Sequence, residues 1–222
     1  MLSKEIYSFF ESLEKNNNRE WFAEHKSEFK ALEAQVKALG EGIVSQLQTS
    51  DQVEKMKLFR IYRDVRFSKN KTPYKTHFGM AFHRQKPENR GGYYIHLKPN
   101  DSFLAVGFWD PNKEDLLRIR KELEIDAADF REIVQSSKHQ NIWGELTGDE
   151  VKTAPKGFSK EHPDIDLIKK KQYLFIRQLT TAEVFDPAFE SLVVDAFRAI
   201  RPFFDYMSSV LTTDLNGESL LK

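Results

Sequence analysis

The chain has 222 residues, of which 40% are hydrophobic and 13% aromatic, and its 34 basic residues balance 34 acidic ones. This composition excludes a disordered or fibrous protein, and the zero net charge excludes a polyanion binder that acts by bulk attraction. The absence of cysteine excludes disulfides, cysteine-ligated zinc, iron–sulfur clusters and thiol nucleophiles. We expect a soluble, cytoplasmic protein with one domain over residues 1–222 and no membrane span, because the longest uncharged run has nine residues.

Apolar residues at helical spacing dominate the N-terminal region. Residues 3–15 form the first predicted helix, which the three asparagines that follow should end. Asn17 is the expected N-cap of a second helix, whose apolar stripe runs from Phe22 to Leu47. His25 lies on that stripe, and we interpret it as a hydrogen-bonded core residue rather than a catalytic one.

Alternation with a period of two predicts strands in the middle of the chain. The predicted strands are residues 57–67, 77–84, 91–98 and 102–109, with a late strand at 173–180. Their short connections favour an antiparallel meander with one face on a helical layer. The predicted fold class is therefore α+β, with an antiparallel sheet of four to six strands and helices packed on one face.

Helices are predicted for most of the remaining chain. Asn112 and Asp126 are the expected caps of two helices, and residues 145–163 are expected to form a loop. Asp186, which precedes a proline, should begin a long apolar helix. We expect Pro202 to kink that helix.

Charge is distributed unevenly along the chain. Residues 1–59 carry a net charge of −2, residues 60–86 a net charge of +7, and residues 87–222 a net charge of −5. The basic side chains of the middle segment are Arg60, Arg63, Arg66, Lys69, Lys71, Lys75, Arg84 and Lys86. Such an excess attracts anions, unless it is a solvated loop whose cations pair with acidic helices elsewhere in the fold.

Residues 68–77 offer three ammonium groups together with threonine and serine hydroxyls, a chemistry that suits phosphate oxygens. The segment lacks the glycines of a P-loop, and it is not an RNA-recognition signature. Asp64 is the lone carboxylate among these cations. The arginines on both sides should hold its pKa low, which favours a salt-bridging role over proton donation.

The same alternation predicts a pocket on the sheet face opposite the core. Polar side chains on that face are Arg60, Tyr62, Asp64, His77, His83, Tyr94, His96 and Lys98, around small residues at Gly79, Ala81, Ala105 and Gly107. We expect His83, Tyr94 and His96 on one side with Arg60 and Tyr62. The alternative is a solvated sheet face, which is common in antiparallel folds.

No metal or cofactor is predicted for this pocket. His77 and His83 are six residues apart, which is about 20 Å along a strand, so they cannot share an ion. His83 and His96 can approach each other across neighbouring strands, but the sequence offers no obvious third ligand.

Four segments of the chain resemble the recurrent segments of a known family. They are FFESLEKNNNREWFAEHK, FRIYRDVRFSKNKTPYKTHFG, GGYYIHLKPNDSFLAVGFW and PKGFSKEHPDIDLIKKKQYL. The family is an uncharacterised one of bacteria and fungi, catalogued as a domain of unknown function. The resemblance covers nearly the whole chain and implies one domain of mixed α/β architecture, without implying any catalytic residue. Members often have an acidic residue where this chain has Asn70. The resemblance also implies that Trp21 and Phe22 pack beside the basic strand, with Asn17 and Asn18 near the rim of the site.

These observations predict a protein that binds a small phosphate-bearing or other anionic ligand at the basic loop beside the sheet pocket. The predicted ligand-binding residues are Arg60, Tyr62, Arg63, Asp64, Arg66, Lys69, Lys71, Tyr74, Lys75, His77, His83, Tyr94 and His96. One alternative is an enzyme that uses His83 or His96 as an acid–base on a phosphorylated substrate. Another is a docking module for nucleic acid or for an acidic protein. A small ligand is favoured over a long strand because the patch is short and its flanking segments are acidic.

Overall fold

Five antiparallel strands form one sheet, in the order in which they occur along the chain. The structure is a computed structural model, and it describes residues 1–221. The strands are β1 (Val53–Leu58), β2 (Phe78–Arg84), β3 (Gly92–Leu97), β4 (Ser102–Phe108) and β5 (Tyr173–Leu179). Each strand pairs with the next, so the sheet is a meander and the α+β prediction is confirmed.

Helices pack on one face of this sheet. In chain order they are α1 (Glu5–Lys15), α2 (Arg19–Glu24), α3 (Lys26–Leu47), α4 (Lys113–Ile125), α5 (Ala128–Gln135), α6 (Ser137–Trp143), α7 (Ile165–Ile168), α8 (Thr181–Val184), α9 (Phe189–Ala199) and α10 (Arg201–Thr212). Phe82 of β2 contacts Phe197 of α9. Phe78 of the same strand contacts Phe10 of α1 and Phe29 of α3. The removal of these apolar rings from water holds the two layers together.

Side-chain alternation divides the sheet into an inner face, which packs on the helices, and an outer face. Ala81, Tyr94 and Ala105 stand opposite one another in three neighbouring strands and belong to the outer face. Their chain neighbours Phe82 and Tyr93 also pair across the strands, and both are buried on the inner face. The predicted division of residues between the faces is therefore confirmed for the central strands.

The first strand lies earlier in the chain than predicted, and the prediction of a strand over residues 57–67 was wrong. β1 ends at Leu58, which pairs with Met80, and the chain then leaves the sheet for residues 59–77, which we call the basic arm. β2 begins at Phe78, so the later residues of the predicted strand lie beyond the end of β2 and have no partner in it. Phe67, which the pattern placed on an apolar face, is consequently 96% exposed.

The basic arm folds back on itself as an irregular hairpin. Tyr62 and Tyr74 form an isolated antiparallel bridge. The Lys75 N–H donates to the Ile61 carbonyl oxygen at 2.8 Å. Pro73 has no N–H to donate, which helps to limit the arm to isolated bonds rather than a strand ladder.

Two predicted helices are each divided. The N-terminal one is interrupted at His25, a half-buried residue whose ring nitrogen Nδ1 lies 2.8 Å from the Trp21 carbonyl oxygen. Asn18, rather than Asn17, caps α2 and accepts a hydrogen bond from the Trp21 N–H at 2.9 Å. Pro202 stands in the first turn of α10 instead of kinking one long helix. Proline fits that position because the first N–H groups of a helix have no intrahelical partner.

Arg84 belongs to the basic segment by sequence, but its side chain is fully buried. Its Nε and Nη2 donate to the Asp51 carboxylate at 2.7 and 3.1 Å, and the Tyr93 hydroxyl donates to the same group. Its Nη1 donates to the Arg90 carbonyl oxygen at 2.6 Å, and the guanidinium lies 4.7 Å from the centre of the Phe204 ring. This cation is part of the core and is not available to an external anion.

Candidate functional site

Two residues of the N-terminal region hold the basic arm against the helices. The Asn17 side chain donates to the Tyr74 carbonyl oxygen at 3.0 Å and accepts from the Tyr74 N–H at 3.1 Å. Phe22 stacks on the Tyr74 ring with a centroid separation of 4.1 Å. Asn17 and Phe22 thus contact the basic arm as expected, whereas Trp21 stacks on His25 and Asn18 caps α2.

Polar groups at the tip of the arm bond mainly to one another. The Arg63 guanidinium donates to the Thr72 carbonyl oxygen at 3.0 Å and also to the Thr72 hydroxyl. The Asn70 side-chain oxygen accepts from the Thr72 N–H at 2.9 Å, and the Lys71 ammonium donates to the Val65 carbonyl oxygen at 2.9 Å. These donors shape the arm, and part of their hydrogen-bonding capacity is already used.

Asp64 and Arg66 form an exposed ion pair inside the arm. Arg66 Nε donates to one Asp64 oxygen at 3.0 Å, and Nη2 donates to the other at 2.6 Å. These hydrogen bonds, with a smaller effect from the Arg60 charge, hold the pKa of the Asp64 carboxyl below its usual value. The expected salt-bridging role of Asp64 is confirmed, and its partner is Arg66.

Two lysines converge on Phe59, where the arm leaves the sheet, and Arg60 is the next residue in the chain. The Lys57 and Lys75 ammonium nitrogens lie 4.9 and 5.4 Å from the centre of the Phe59 ring. Burial lowers the pKa of the Lys75 ammonium, and the charges of Arg60 and Lys57 lower it further. We call Lys57, Arg60 and Lys75 the cation cluster. Within residues 1–221, none of the three forms an ion pair with a carboxylate.

Histidine and aromatic rings line the outer face next to the cluster. The rings of His77 and His96 are 4.2 Å apart, and His96 stacks on Phe103 at 4.7 Å. The Tyr94 hydroxyl lies 3.2 Å from His96 Nδ1. Burial is the main cause that lowers the pKa of both imidazoles to about 4, so both rings are neutral at pH 7 and can exchange hydrogen bonds with a ligand.

Further along the outer face lies a groove of about 400 Å³. We call it the outer-face groove. Its floor consists of Ala81, Gly92, Ala105 and Gly107, and its sides include His83, Tyr94, Phe103, Trp109 and Leu174. The predicted small-residue floor is therefore present as a depression. The sides are more apolar than expected, because the aromatic rings of the outer face flank it.

A second cavity of about 270 Å³ opens where the arm meets α1. Lys75 and His77 line it together with the side chains of Arg63 and Thr72, and Glu14 contributes the one carboxylate among its lining residues. Lys75 thus belongs both to this cavity and to the cation cluster.

The structure separates the predicted site residues into groups. Arg60, Lys75, His77, Tyr94 and His96 lie together around Phe59 and the adjoining outer face. Arg63, Asp64, Arg66 and Lys71 bond within the arm, and Lys69 is exposed. Tyr62 and Tyr74 pack against each other and against Phe22 of α2. His83 lies at the far end of the groove.

Two expectations about this arrangement were wrong. Tyr62 is not on the outer face with Tyr94, because the chain leaves the sheet before residue 59 and turns the ring toward α2. His83 and His96 do not face each other, since His83 pairs with Gly92 and His96 with Gly79. Instead His96 meets His77, which precedes β2.

Lys57 is the functional candidate that the sequence reasoning missed. Its pairing with Ala81 places it on the outer face beside the groove. The predicted strand begins at Lys57, but the sequence does not specify its register with β2, so no role follows for this lysine. Its charge and its period-two spacing from Phe59 were the only signals in the sequence.

Known proteins provide a family but no activity. Among residues 1–221, no helix is long and apolar enough to cross a membrane, and no three His, Cys, Asp or Glu side chains are grouped so that they could hold a metal ion. The profile of a family described as "Conserved hypothetical protein (DUF2461)" matches residues 5–206. No curated protein and no solved structure matches the chain.

Proposed function

The chain belongs to the family of conserved hypothetical proteins DUF2461, and we propose that it binds a small anionic ligand at the cation cluster of Lys57, Arg60 and Lys75. The observation that carries this proposal is the placement of Lys57 and Lys75 against Phe59, next to Arg60 in the chain, without an ion pair to a carboxylate within residues 1–221. A phosphate or carboxylate at this place relieves their mutual repulsion and supplies acceptors for their donors.

The ion pairs of the fold support an external partner for the cluster. In the basic segment, Arg66 pairs with Asp64 inside the arm, and Arg84 pairs with Asp51 in the core. No acidic helix of residues 1–221 pairs with Lys57, Arg60 or Lys75, although the chain carries 34 acidic residues. The alternative of a basic loop neutralised by acidic helices has no counterpart in these contacts.

The size of the cluster favours a small ligand over a polynucleotide. Arg63, Arg66 and Lys71 use donors for contacts within the arm, which leaves fewer cations available to a polynucleotide backbone. A polynucleotide backbone needs several phosphate contacts in a row. The acidic balance of the flanking segments further disfavours a long strand.

Binding is better supported than acid–base catalysis. A general base is most effective when its pKa lies near the working pH. The pKa of His96 is lowered to about 4, which makes its imidazole a weak base at neutral pH. His96 and the Tyr94 hydroxyl, 3.2 Å apart, are better suited to orient a ligand through hydrogen bonds.

Isothermal titration with inorganic phosphate and pyrophosphate at low salt tests the proposal. We expect binding by the parent chain and a loss of about 1000-fold or more in affinity when Lys57, Arg60 and Lys75 are all replaced by Met, because each charge-assisted hydrogen bond contributes about 1.5–3 kcal/mol. Methionine keeps most of the side-chain length and removes the charge.

The matched control removes three charges elsewhere. Lys138, Lys152 and Lys156 are exposed and form no ion pair in the described part of the chain, so their replacement by Met should change affinity less than about threefold. Equal binding by the parent and the cluster variant would disprove the proposal. Tighter binding of an oligonucleotide of ten thymidines than of pyrophosphate, with a log–log salt slope of about −3 to −4, would favour a polynucleotide instead.

A further inference from the structure

We infer that the anionic ligand carries a planar aromatic ring, which lies on the floor of the outer-face groove while its charged group meets the cation cluster. This inference rests on the proposed function and adds the chemical class of the ligand. The groove and the cluster are parts of one continuous surface on the outer face of β1 to β4.

Small residues form the floor of the groove. Gly92 pairs with Gly107 across β3 and β4, and Ala81 and Ala105 stand on either side of Tyr94 in the next row. No side chain of the four floor residues extends beyond a Cβ atom. The Tyr94 ring rises between Ala81 and Ala105 but leans over Gly79, away from the row of Gly92 and Gly107. A flat ring makes contact with such a floor over its whole face, which a branched aliphatic group does not.

Aromatic side chains form the rim of the same floor. Trp109 is 65% exposed although it adjoins an apolar depression, and Phe103 lines the opposite end beneath the stacked ring of His96. Gly79 allows the Tyr94 ring to lie across β2, since a Cβ there would come within 2.5 Å of the Tyr94 hydroxyl oxygen. Aromatic rings at the rim favour an aromatic guest through offset or edge-to-face contacts.

Strand register places positive charge directly beside this floor. Lys57 pairs with Ala81 and Lys55 pairs with His83, so both lysines stand on the outer face of the edge strand β1. Neighbouring strands lie about 4.8 Å apart. Phe59, around which the cation cluster gathers, contacts Tyr94 at a centroid separation of 6.3 Å. One molecule of modest size can therefore place a ring on the floor and an anionic group at Lys57 and Lys75.

The charge at one end of the groove identifies a small ligand rather than an apolar protein surface. Lys55 and Lys57 border the floor from β1, and Lys75 and Arg60 continue the positive edge into the arm. A purely apolar partner would remove water from these cations without offering them hydrogen-bond acceptors, which is energetically unfavourable. The cavity volume of about 400 Å³ also falls in the ordinary range for a small-molecule site.

Three probes separate the ring from the charge: 1-naphthyl phosphate, inorganic phosphate and 2-naphthol. We expect 1-naphthyl phosphate to bind about tenfold or more tightly than phosphate, because the ring removes apolar area from water. 2-Naphthol should bind weakly, since it lacks the phosphate. Quenching of tryptophan fluorescence should accompany binding of the naphthyl phosphate, and it should disappear in Trp109→Ala, which leaves Trp21 and Trp143 in place.

Variants assign each part of the probe to its part of the surface. Ala81→Phe should fill the groove and reduce the affinity for 1-naphthyl phosphate to that for phosphate, while phosphate binding stays within about threefold of the parent. Trp109→Ala, at an exposed position, provides a second test that does not depend on tolerance of the larger side chain at residue 81. Lys75→Met should weaken phosphate and 1-naphthyl phosphate alike.

The outcomes distinguish this inference from the proposed function. If phosphate binds and Lys75→Met weakens it, but 1-naphthyl phosphate binds no better and Ala81→Phe has no effect, the ring site is wrong and the anion site stands. If neither phosphate nor 1-naphthyl phosphate binds, both are wrong. If an oligonucleotide of ten thymidines binds more tightly than 1-naphthyl phosphate and with a steep salt dependence, the ligand is a polynucleotide and the small-molecule assignment is overturned.

Discussion

Arg84 and Lys75 belong to the same basic segment, but the fold treats the two cations in opposite ways. Arg84 is fully buried, and its guanidinium donates to Asp51, to the Arg90 carbonyl oxygen and to other acceptors. Lys75 is half-buried among Arg60 and Lys57, and it has no carboxylate partner within residues 1–221. A cation with satisfied donors stabilises the fold, whereas a cation crowded by like charges lowers stability unless an anion joins it. The structural role of Arg84 therefore differs from the ligand-binding role that we propose for Lys75.

Removal of the partner of Arg84 should give the largest change in stability. Asp51→Ala leaves a buried guanidinium without its hydrogen-bonded counter-charge, with only the exposed Asp205 carboxylate 3.8 Å away, and we expect a loss of about 3–5 kcal/mol in the free energy of unfolding. Urea denaturation measures it. Asp64→Ala, which breaks the exposed pair with Arg66, is the control and should cost less than about 1 kcal/mol. If the two variants lost similar free energies of unfolding, the buried ion pair would be no more important for stability than the exposed one, which contradicts this account.

The stability at acidic pH should reveal the cost of burying an ionisable side chain that has no hydrogen-bond partner. Burial lowers the pKa of His139 to about 4, and its Nε2 has no hydrogen-bond partner in the described residues. The unfolded chain takes up the proton below about pH 6.5 while the folded chain does not, so stability is lost as pH falls from 6.5 to 4. We expect His139→Leu to reduce this loss by up to about 3 kcal/mol. Parallel pH profiles for parent and variant, measured by urea denaturation, would contradict this account.

Release of the arm should have an intermediate effect. Asn17→Ala removes both hydrogen bonds to the Tyr74 backbone, and we expect a loss of about 1–2 kcal/mol in the free energy of unfolding. Hydrogen exchange at the Tyr74 amide should accelerate in the same variant. Asn16→Ala, whose side chain bonds to Ser12 at the exposed end of α1, should leave that exchange unchanged. If both variants behave alike, Asn17 does not anchor the arm.

Neutralisation of Lys75 should produce the smallest change, and in the opposite direction. Lys75→Met removes one charge from the cation cluster and keeps an apolar side chain against Phe59, so the ligand-free protein should gain about 0.2–0.5 kcal/mol at low salt. Added salt should diminish the gain, because it screens the repulsion in the parent. A clear loss of stability in thermal or urea unfolding would mean that the ammonium has a structural partner after all.

The sequence was informative wherever one local rule decided the outcome. Alternation assigned Ala81, Tyr94 and Ala105 to one face of the sheet, because short turns fix the register of neighbouring strands. Asn112 caps α4 as predicted, since its side chain can satisfy the N–H of Asp115 at 2.9 Å. The loop predicted for residues 145–163 is also present, since most of this segment forms no regular helix or strand.

The remaining features depend on which distant residues meet. Alternation continues past Leu58, but β1 ends there because most of the alternating residues that follow lie beyond the first residue of β2. Arg84 looks like its neighbours in a basic segment, and only the position of Asp51 in the fold identifies it as a core residue. Lys57 became a site candidate through its register with Ala81. Each of these features depends on contacts between residues that are distant in the chain, or on the register between two strands.

The most direct test of the cation cluster is the pKa of the Lys75 side chain with and without an anion, measured by NMR titration of a lysine-labelled chain. Without an anion, burial and the charges of Arg60 and Lys57 should place this pKa below 10.5. Saturating pyrophosphate should raise it, because the anion binds the protonated cluster more tightly than the deprotonated one. The signal of the exposed Lys156 should not respond to pyrophosphate. A Lys75 pKa that pyrophosphate and 1-naphthyl phosphate both leave unchanged would contradict the account.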